Sequence, residues 1–550
     1  MHVQEPGGTP LGWWHAETSQ PESGDQAFQK GLLQVTRPLY IVNQDGQPAV
    51  SQDGTITIGA ARPSAPEILP LLGYAPALHP QDLGDPNFIK AHQLKYAYVV
   101  GAMANGITSV EMVEAAGRAG MLGFFGAAGL LPDQIETAIH TLQQRLENLP
   151  RGFNLIHSPA DPELEAATVD LYLRHGIKLV SASAYLGLTL PLVYYRVNNL
   201  HRDRNGKVVC PNKIIAKVSR VEVARKFLEP PPEKFLKQLV ELNRISSDQA
   251  TMAAEIPMAE DLTAEADSGG HTDNRPALTL LPTMLALRDE ISDRMAYTTP
   301  VRVGLAGGIA TPQSTAAAFA MGAAYVLTGS VNQSCVEAGT SDTVRQMLTE
   351  ADQADVTMAP AADMFEMGVK VQVLKRGTMF PLRAAKLYEL YSRHDSYEEI
   401  PADQRAILER DFFRGSFEEE WQQTMNFFTR RDPRQIEIAE NKPKHKMALV
   451  FRSYLGRSSN WANAGDQTRK IDYQIWCGPA IGAFNHWVKG SFLEKGENRE
   501  TVTVALNLLL GAAFTTRTNW LRQQGIALPA GVDKFSPFKL PRILQLLEGG

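Results

Sequence analysis

The chain has 550 residues, 44% of them hydrophobic and 21% charged, with a formal net charge of −6; this is more than one hydrophobic core organises, so two or three units are expected. The acidic balance gives no global attraction to nucleic acid or to an anionic membrane. Cys210, Cys335 and Cys477 are the three cysteines, far apart and without metal-ligand spacing, which argues against a disulfide framework and a zinc site and suits a reducing compartment. The N-terminus lacks a basic segment followed by an apolar run, and the most apolar late stretch, residues 504–514, is broken by Asn507 and too short to span a bilayer. The expectation is a cytoplasmic chain with no metal, no nucleic-acid partner and no membrane partner.

Residues 1–30 are polar and expected to be loose. LYIVNQDGQPAV and TITIGAARP follow, β-prone runs in which Asp45 with Gly46 and Asp53 with Gly54 are hairpin signals. From Tyr96 to about Ser330 apolar strand-like runs (YAYVVGAM, MLGFF, FNLIHS, IKLVSASA, KIIAKVS, VRVGLAG, AYVLTG) alternate with helical spacing. Such alternation over roughly 230 residues predicts a parallel α/β domain, a (β/α)8 TIM barrel. Two stretches interrupt it: residues 190–213, read as a β-rich excursion around Asn205 and Gly206, and residues 230–262, which hold the proline-started helix PPPEKFLKQLVELNRIS. Beyond about residue 345 the strand signal fades, and MFEMGVKVQVLKRG, LRAAKLYELYSR, FEEEWQQTMNFFTRR and the 501–524 run read as helical. The predicted organisation is an N-terminal extension with β-hairpins (1–92), a barrel (93–345) and a mainly helical region (346–550).

Residues 301–330 carry the most chemistry. A strand ends in Gly307 and Gly308; a helix follows, with Thr311 as N-cap, Pro312 at its first position and Gly322 as its stop; a second strand ends in Gly329 and Ser330. Two successive glycine-lined strand ends bring unpaired N–H groups and helix dipoles together, which suits a dianion, and barrels commonly bind phosphate after their last two strands. One such turn alone would only end a strand tightly. Residues 101–106 are small or flexible, so a flat ring could lie against them, and Thr108 with Glu111 has capping-box spacing. In EADSGGHTDNRP (265–276), His271 follows paired glycines, with Glu265, Asp267, Asp273, Asn274 and Arg275 crowded on the same turn. An imidazole on a barrel rim titrates near neutrality and can move a proton. Lys217 ends an apolar strand and calls for an anionic or electron-rich partner, which a rim carboxylate would also satisfy. Lys370, Lys375, Arg376, Arg383 and Lys386 form a local positive cluster, which is either a docking surface or a solvated helix face.

GAMANGITSVEMVEAAGRAGMLGFFGAAG, EADSGGHTDNRP and AGGIATPQSTAAAFAMGAAYVLTGS resemble the frame of the nitronate monooxygenase/FMN-dependent enoyl reductase superfamily. APAADMFEMGVKVQVLKRGTMFPLRAAKLYELY and the C-terminal helical region resemble a narrower group: PfaD-type enoyl reductase subunits of polyunsaturated fatty acid synthases and trans-acting enoyl reductases of polyketide assembly lines. The resemblance implies that Ala102 and Met103 touch the flavin ring of FMN and that Asn154 and Lys217 contact the flavin or its ribityl chain. It implies that Gly307, Gly308, Gly329 and Ser330 hold the phosphate, and that His271 is the superfamily's active-site histidine. Around that histidine the chain departs from the common pattern, with Asp267 and Ser268 before the glycines and Thr272, Asp273 and Asn274 after His271; proton donor, base and orienting roles stay open. The implied activity is reduction of 2-enoyl thioesters on acyl carrier protein domains with NADPH or NADH. No GxGxxG follows a strand, so a separate nicotinamide domain is not expected. Nitronate oxidation by O2, a flavin-free scaffold subunit and a homodimeric state remain alternatives to test.

Overall fold

Eight short apolar runs become the parallel strands of a closed barrel: β1 (Tyr98–Val100), β2 (Leu122–Phe125), β3 (Gly152–Ile156), β4 (Leu179–Ser183), β5 (Lys213–Val218), β6 (Asp261–Glu265), β7 (Arg302–Ala306) and β8 (Val326–Thr328). This computed structural model describes residues 10–64, 68–159 and 161–548. The strands pair in sequence order, and β8 closes on β1 with Val326 opposite Tyr98. Side chains are buried on both strand faces because helices cover the outside, which is why these runs are continuously apolar rather than alternating.

The helix signals around β7 and β8 hold. Thr311 caps Pro312–Ala320, its Oγ1 accepting from Ser314 N at 3.1 Å. After β1 the cap moves by one residue: Ser109, not Thr108, caps Val110–Arg118, and Thr108 folds back on the preceding loop.

The N-terminal segment forms a six-stranded antiparallel sheet. Asp45 and Gly46 make the expected tight hairpin, with φ of 52° and 83° between Leu39–Gln44 and Gln47–Ser51. Asp53 and Gly54 do not make a second one. Thr55–Ile58 crosses to pair with Gly12–His15, and Trp14 Nε1 donates to Asp53 O at 3.0 Å. The expectation of looseness over residues 1–30 also fails from residue 12 onward: Gly12–His15 is a strand and Asp25–Leu33 a helix, because Trp14, Phe28 and Leu32 are buried. Residues 1–9 lie outside the described residues.

Two further readings change. Residues 190–213 are not β-rich: Leu190–Val197 is a helix capped by Thr189, and only His201–Arg202 and Val208–Val209 pair around the Asn205 turn. Burial of Leu192, Val193 and Tyr195 on this helix outweighs the β preference of its branched and aromatic residues. In the reverse sense, Lys370–Leu374, read as helical, is the middle strand of a small antiparallel sheet with Val356–Pro360 and Gly270–His271. Beyond it the chain is helical, notably Phe380–Arg393, Phe417–Arg431, Pro443–Ala464 and Thr501–Gln523. Among the described residues no helix is long and apolar enough to cross a membrane.

Candidate active site

The carboxyl ends of the barrel strands open into a cavity of about 950 Å³, walled on the far side by the helices Phe417–Arg431 and Pro443–Ala464. Ala102, Met103, Asn154, Lys217, His271, Gly307, Gly308, Gly329 and Ser330 all line it.

The loop after β1 is held by one hydroxyl. Thr108 Oγ1 donates to Gly101 O at 2.7 Å and accepts from Met103 N at 2.9 Å, which sets the backbone of 101–103 along the cavity wall. Gly126 lets this happen, because a side chain there would run into the Met103 carbonyl. On the neighbouring strands, the glycines divide their work. A Cβ on Gly307 would lie 2.6 Å from the Ala266 carbonyl carbon, so this residue allows β6 and β7 to approach at their ends. Gly308 (φ +76°) and Gly329 would each project a Cβ into space with no atom within 4 Å. The turns after β7 and β8 are therefore open toward the cavity, not packed under side chains, and Ser330 lies beside them with its Oγ accepting from Gly478 N at 2.9 Å. An anion seated there would meet backbone and small residues, as the phosphate of a mononucleotide requires.

Lys217 Nζ lies 2.8 Å from Glu265 Oε1, so its charge is answered by a rim carboxylate, one of the two partners the sequence left open. Asn154 sits at the cavity wall, its Oδ1 accepting from Ser183 Oγ at 3.2 Å. His157, which sequence reasoning passed over, also lines the cavity; its Nδ1 is buried and finds no hydrogen-bond partner among the described residues.

His271 does not bond the polar residues crowded beside it in sequence. Lys217 takes Glu265, Arg220 takes Asp273 at 2.8 Å, and Gln372 Nε2 takes Asp267 at 2.8 Å. The partner of His271 comes from far along the chain: Asp363 Oδ1 lies 3.2 Å from Nε2. The small sheet explains the meeting, since His271 pairs with Val371 and Val371 with Ala359, four residues before Asp363. Burial alone would push the imidazole below its ordinary value, but the hydrogen bond and charge of Asp363, with Glu265 behind, raise it. The carboxyl of Asp363 is correspondingly lowered, its bond to His271 outweighing burial. No local spacing could have revealed Asp363; it lies in the APAADMF run, where only its contact with His271 distinguishes it.

The basic cluster is not one patch. Lys370 is exposed and lines the cavity, and Lys375 is exposed. Arg376 pairs with Asp355 at 3.4 Å and Lys386 with Glu389 at 3.4 Å. Arg383 is withdrawn from any docking role: it pairs with the fully buried Asp472 and stacks on Phe412. Helix Phe380–Arg393 turns this residue inward to Asp472, which Arg469 at 3.2 Å and the Tyr454 hydroxyl at 2.7 Å also hold.

The fold and site define a (β/α)8 barrel whose functional cavity lies at the strands' carboxyl ends, with an anion-sized opening after β7 and β8 and a carboxylate-paired histidine on its rim. Residues 86–397 match the nitronate monooxygenase family, and residues 394–473 match the inserted helical domain of [acyl-carrier-protein] S-malonyltransferase. The chain belongs to the nitronate monooxygenase family. It is 44% identical, over 90% of its length, to a polyunsaturated fatty acid synthase protein of Thraustochytrium sp., covering 33% of that protein. It is 47% identical, over 79% of its length, to polyketide biosynthesis protein PksE of Bacillus subtilis, covering 56% of it. The chain thus spans a third and just over half of these two relatives. Among solved structures, the enoyl reductase domain of MlnA from the macrolactin biosynthesis cluster of Bacillus amyloliquefaciens is 40% identical with a TM-score of 0.76, covering 81% of this chain and 99% of that one.

Proposed function

We propose that the chain is an FMN-dependent oxidoreductase, an enoyl reductase that acts in trans on 2-enoyl thioesters carried by acyl carrier protein domains, with NADPH or NADH as reductant. The observation that carries this is the shared cavity in which the open turns at Gly308 and Gly329 face the His271–Asp363 pair beneath a helical wall. On this reading the backbone at Gly307, Gly308, Gly329 and Ser330 holds the FMN phosphate, residues 102–103 flank the ring, and Asn154 and Lys217 contact the ring or ribityl chain. Bound there, FMN supplies two-electron transfer between the nicotinamide and the β-carbon of the enoyl group. The chain supplies the proton. With Nε2–H donating to Asp363, the other ring nitrogen of His271 holds a proton for the α-carbon. The Lys217–Glu265 pair, 2.8 Å apart at the rim, orients polar groups of the ligand.

Residues 93–345 then serve the cofactor and 346–550 the substrate. The enoyl reductase domain of MlnA, at 40% identity, supports the reaction class, and the match of residues 394–473 to a domain of an acyl-carrier-protein transferase supports a carrier-borne substrate. Nitronate oxidation by O2 is a second reading favoured by the family match, yet a small nitroalkane has no use for so extended a wall. A flavin-free scaffold has no use for an open phosphate-sized turn.

Purified protein should be yellow, bleach with NADPH without oxygen, and recover its colour with crotonyl-pantetheine. Gly308→Val, strained there at a φ of +76°, should yield colourless protein, and Gly329→Val, at a negative φ, colourless protein of unchanged fold. Colourless wild type, or full flavin occupancy in either variant, would overturn the assignment.

A further inference from the structure

Helix Pro443–Ala464 turns Leu449, Arg452, Ser453, Gly456 and Asn460 to the cavity, a spacing of three and four that puts them on one face. Gly456 is deep inside this 22-residue helix, where glycine is less favourable than alanine. No neighbour requires the missing side chain: a Cβ there would meet no atom within 4 Å. What the glycine provides is space on the cavity side. The side chains of Ser453 and Asn460, which flank the gap, make no hydrogen bond to any other described residue. Opposite them, Gln423 and Thr424 of Phe417–Arg431 line the same cavity.

The gap is held rigidly. Arg457, next to Gly456, ties the two helices together through Glu420 and through Gln423 at 2.8 Å. One turn on, Ser459 Oγ accepts from Asn105 Nδ2 at 2.9 Å, fixing the helix over the loop after β1. Arg431 Nε lies 3.1 Å from Asp161 Oδ2 and fixes the other helix over the loop after β3.

From this we infer that the Gly456 face is the channel for the pantetheine arm of a carrier-tethered thioester. The inference rests on the proposed function and specifies which part of the substrate lies under the helical wall. Pantetheine is a narrow extended chain with two secondary amides. It needs uncommitted polar side chains along its path, which Ser453 and Asn460 provide, and room for its backbone, which Gly456 provides. An alkyl chain would call for a continuous apolar lining, which this face lacks.

The test compares crotonyl-pantetheine with crotonyl-N-acetylcysteamine, whose arm is truncated, on the holoenzyme. Wild type should prefer the full arm. Gly456→Leu should lose roughly tenfold in kcat/KM on crotonyl-pantetheine, through KM, and stay within about twofold of wild type on the truncated thioester. Gly456→Ala, which narrows the channel by one methyl and improves the helix, should raise Tm and lose only a fraction of what Gly456→Leu loses on crotonyl-pantetheine. An equal loss on both thioesters, no loss on either, or a loss that follows acyl length at constant arm length would overturn the inference. If wild type reduces neither thioester, the enoyl reductase reading fails instead. Calorimetric binding of free pantetheine, retained in wild type and lost in Gly456→Leu, then still decides the channel, and equal binding by both proteins refutes it.

Discussion

His271 is a rim histidine whose hydrogen-bond partner, Asp363, lies 92 positions away in sequence and, with Glu265, raises its proton affinity against burial. Its folded pKa is raised, so the imidazolium persists above the ordinary value of about 6.5 and is lost as pH rises through the raised folded value. On the proposed function, with His271 as the proton donor, activity should fall along a limb toward alkaline pH. Asp363→Asn removes the charge but keeps a hydrogen-bonding amide, so that limb should move to lower pH with flavin occupancy intact; a pH series of kcat checks it. His271→Ala should leave the protein yellow and slow the half-reaction with enoyl thioester by roughly 10²–10⁴-fold, the usual weight of a positioned acid. An Asp363→Asn profile superimposable on wild type would mean the carboxylate does not tune the donor. The sequence made His271 conspicuous through its glycines, whereas Asp363 became a partner only when a three-stranded sheet laid residues 359–371 against it.

Strand β6 carries an ion pair at each end. At its start, on the side away from the cavity, Asp261 is fully buried between His92 Nε2 at 2.6 Å and Arg302 Nε at 2.5 Å; at its finish Glu265 meets Lys217. In such barrels the first end reads as stability and the second as chemistry. Burial would raise the Asp261 carboxyl, but the charges of His92 and Arg302 lower it below the ordinary range. Its contribution is therefore present above the unfolded carboxyl value and lost as pH falls through the depressed folded value. Asp261→Asn removes the nearer of the two carboxylates on a buried guanidinium, leaving Glu260 at 3.6 Å, and should cost about 3–5 kcal/mol in chemical denaturation. A cost below about 1 kcal/mol would place the pair among exposed ones, which contribute little. At this scale the alternation of strand and helix was readable because buried parallel strands are uniformly apolar. The exceptions are segments such as 190–197 and 370–374, where tertiary burial overrode local preference.

Across the whole molecule, the long helix Thr501–Gln523 fastens the N-terminal sheet to the barrel. Gly511 lets it lie against the barrel helix Pro312–Ala320, since a Cβ there would come within 2.5 Å of the Pro312 ring. On the N-terminal side Arg517, only 2% exposed, donates to the carbonyls of Gln34 at 3.0 Å and Arg37 at 2.9 Å, with those of Gly31 and Leu32 at 3.5 and 3.4 Å. These carbonyls end helix Asp25–Leu33 and the turn after it, where chain direction leaves acceptors without intrahelical donors and a cation is favoured by the helix dipole. Burial lowers the guanidinium to about 10, still charged at neutral pH. No sequence pattern links residues nearly 500 apart, so the apolar 504–514 run could be read as a buried helix but its role as a fastener could not. Arg517→Met keeps the stem's packing and removes the donors; Gln34 O still accepts from Arg37 N at 3.1 Å and Gly31 O from Gln52 Nε2 at 3.3 Å, so the cost comes from the charged hydrogen bonds withdrawn, at about 1–3 kcal/mol each. The variant should melt earlier and be cut first within residues 10–75 under limited proteolysis, while turnover per bound flavin on the surviving barrel stays near wild type. Cleavage that begins in the barrel loops would show that the N-terminal sheet is held by other contacts and that this guanidinium serves only its own helix.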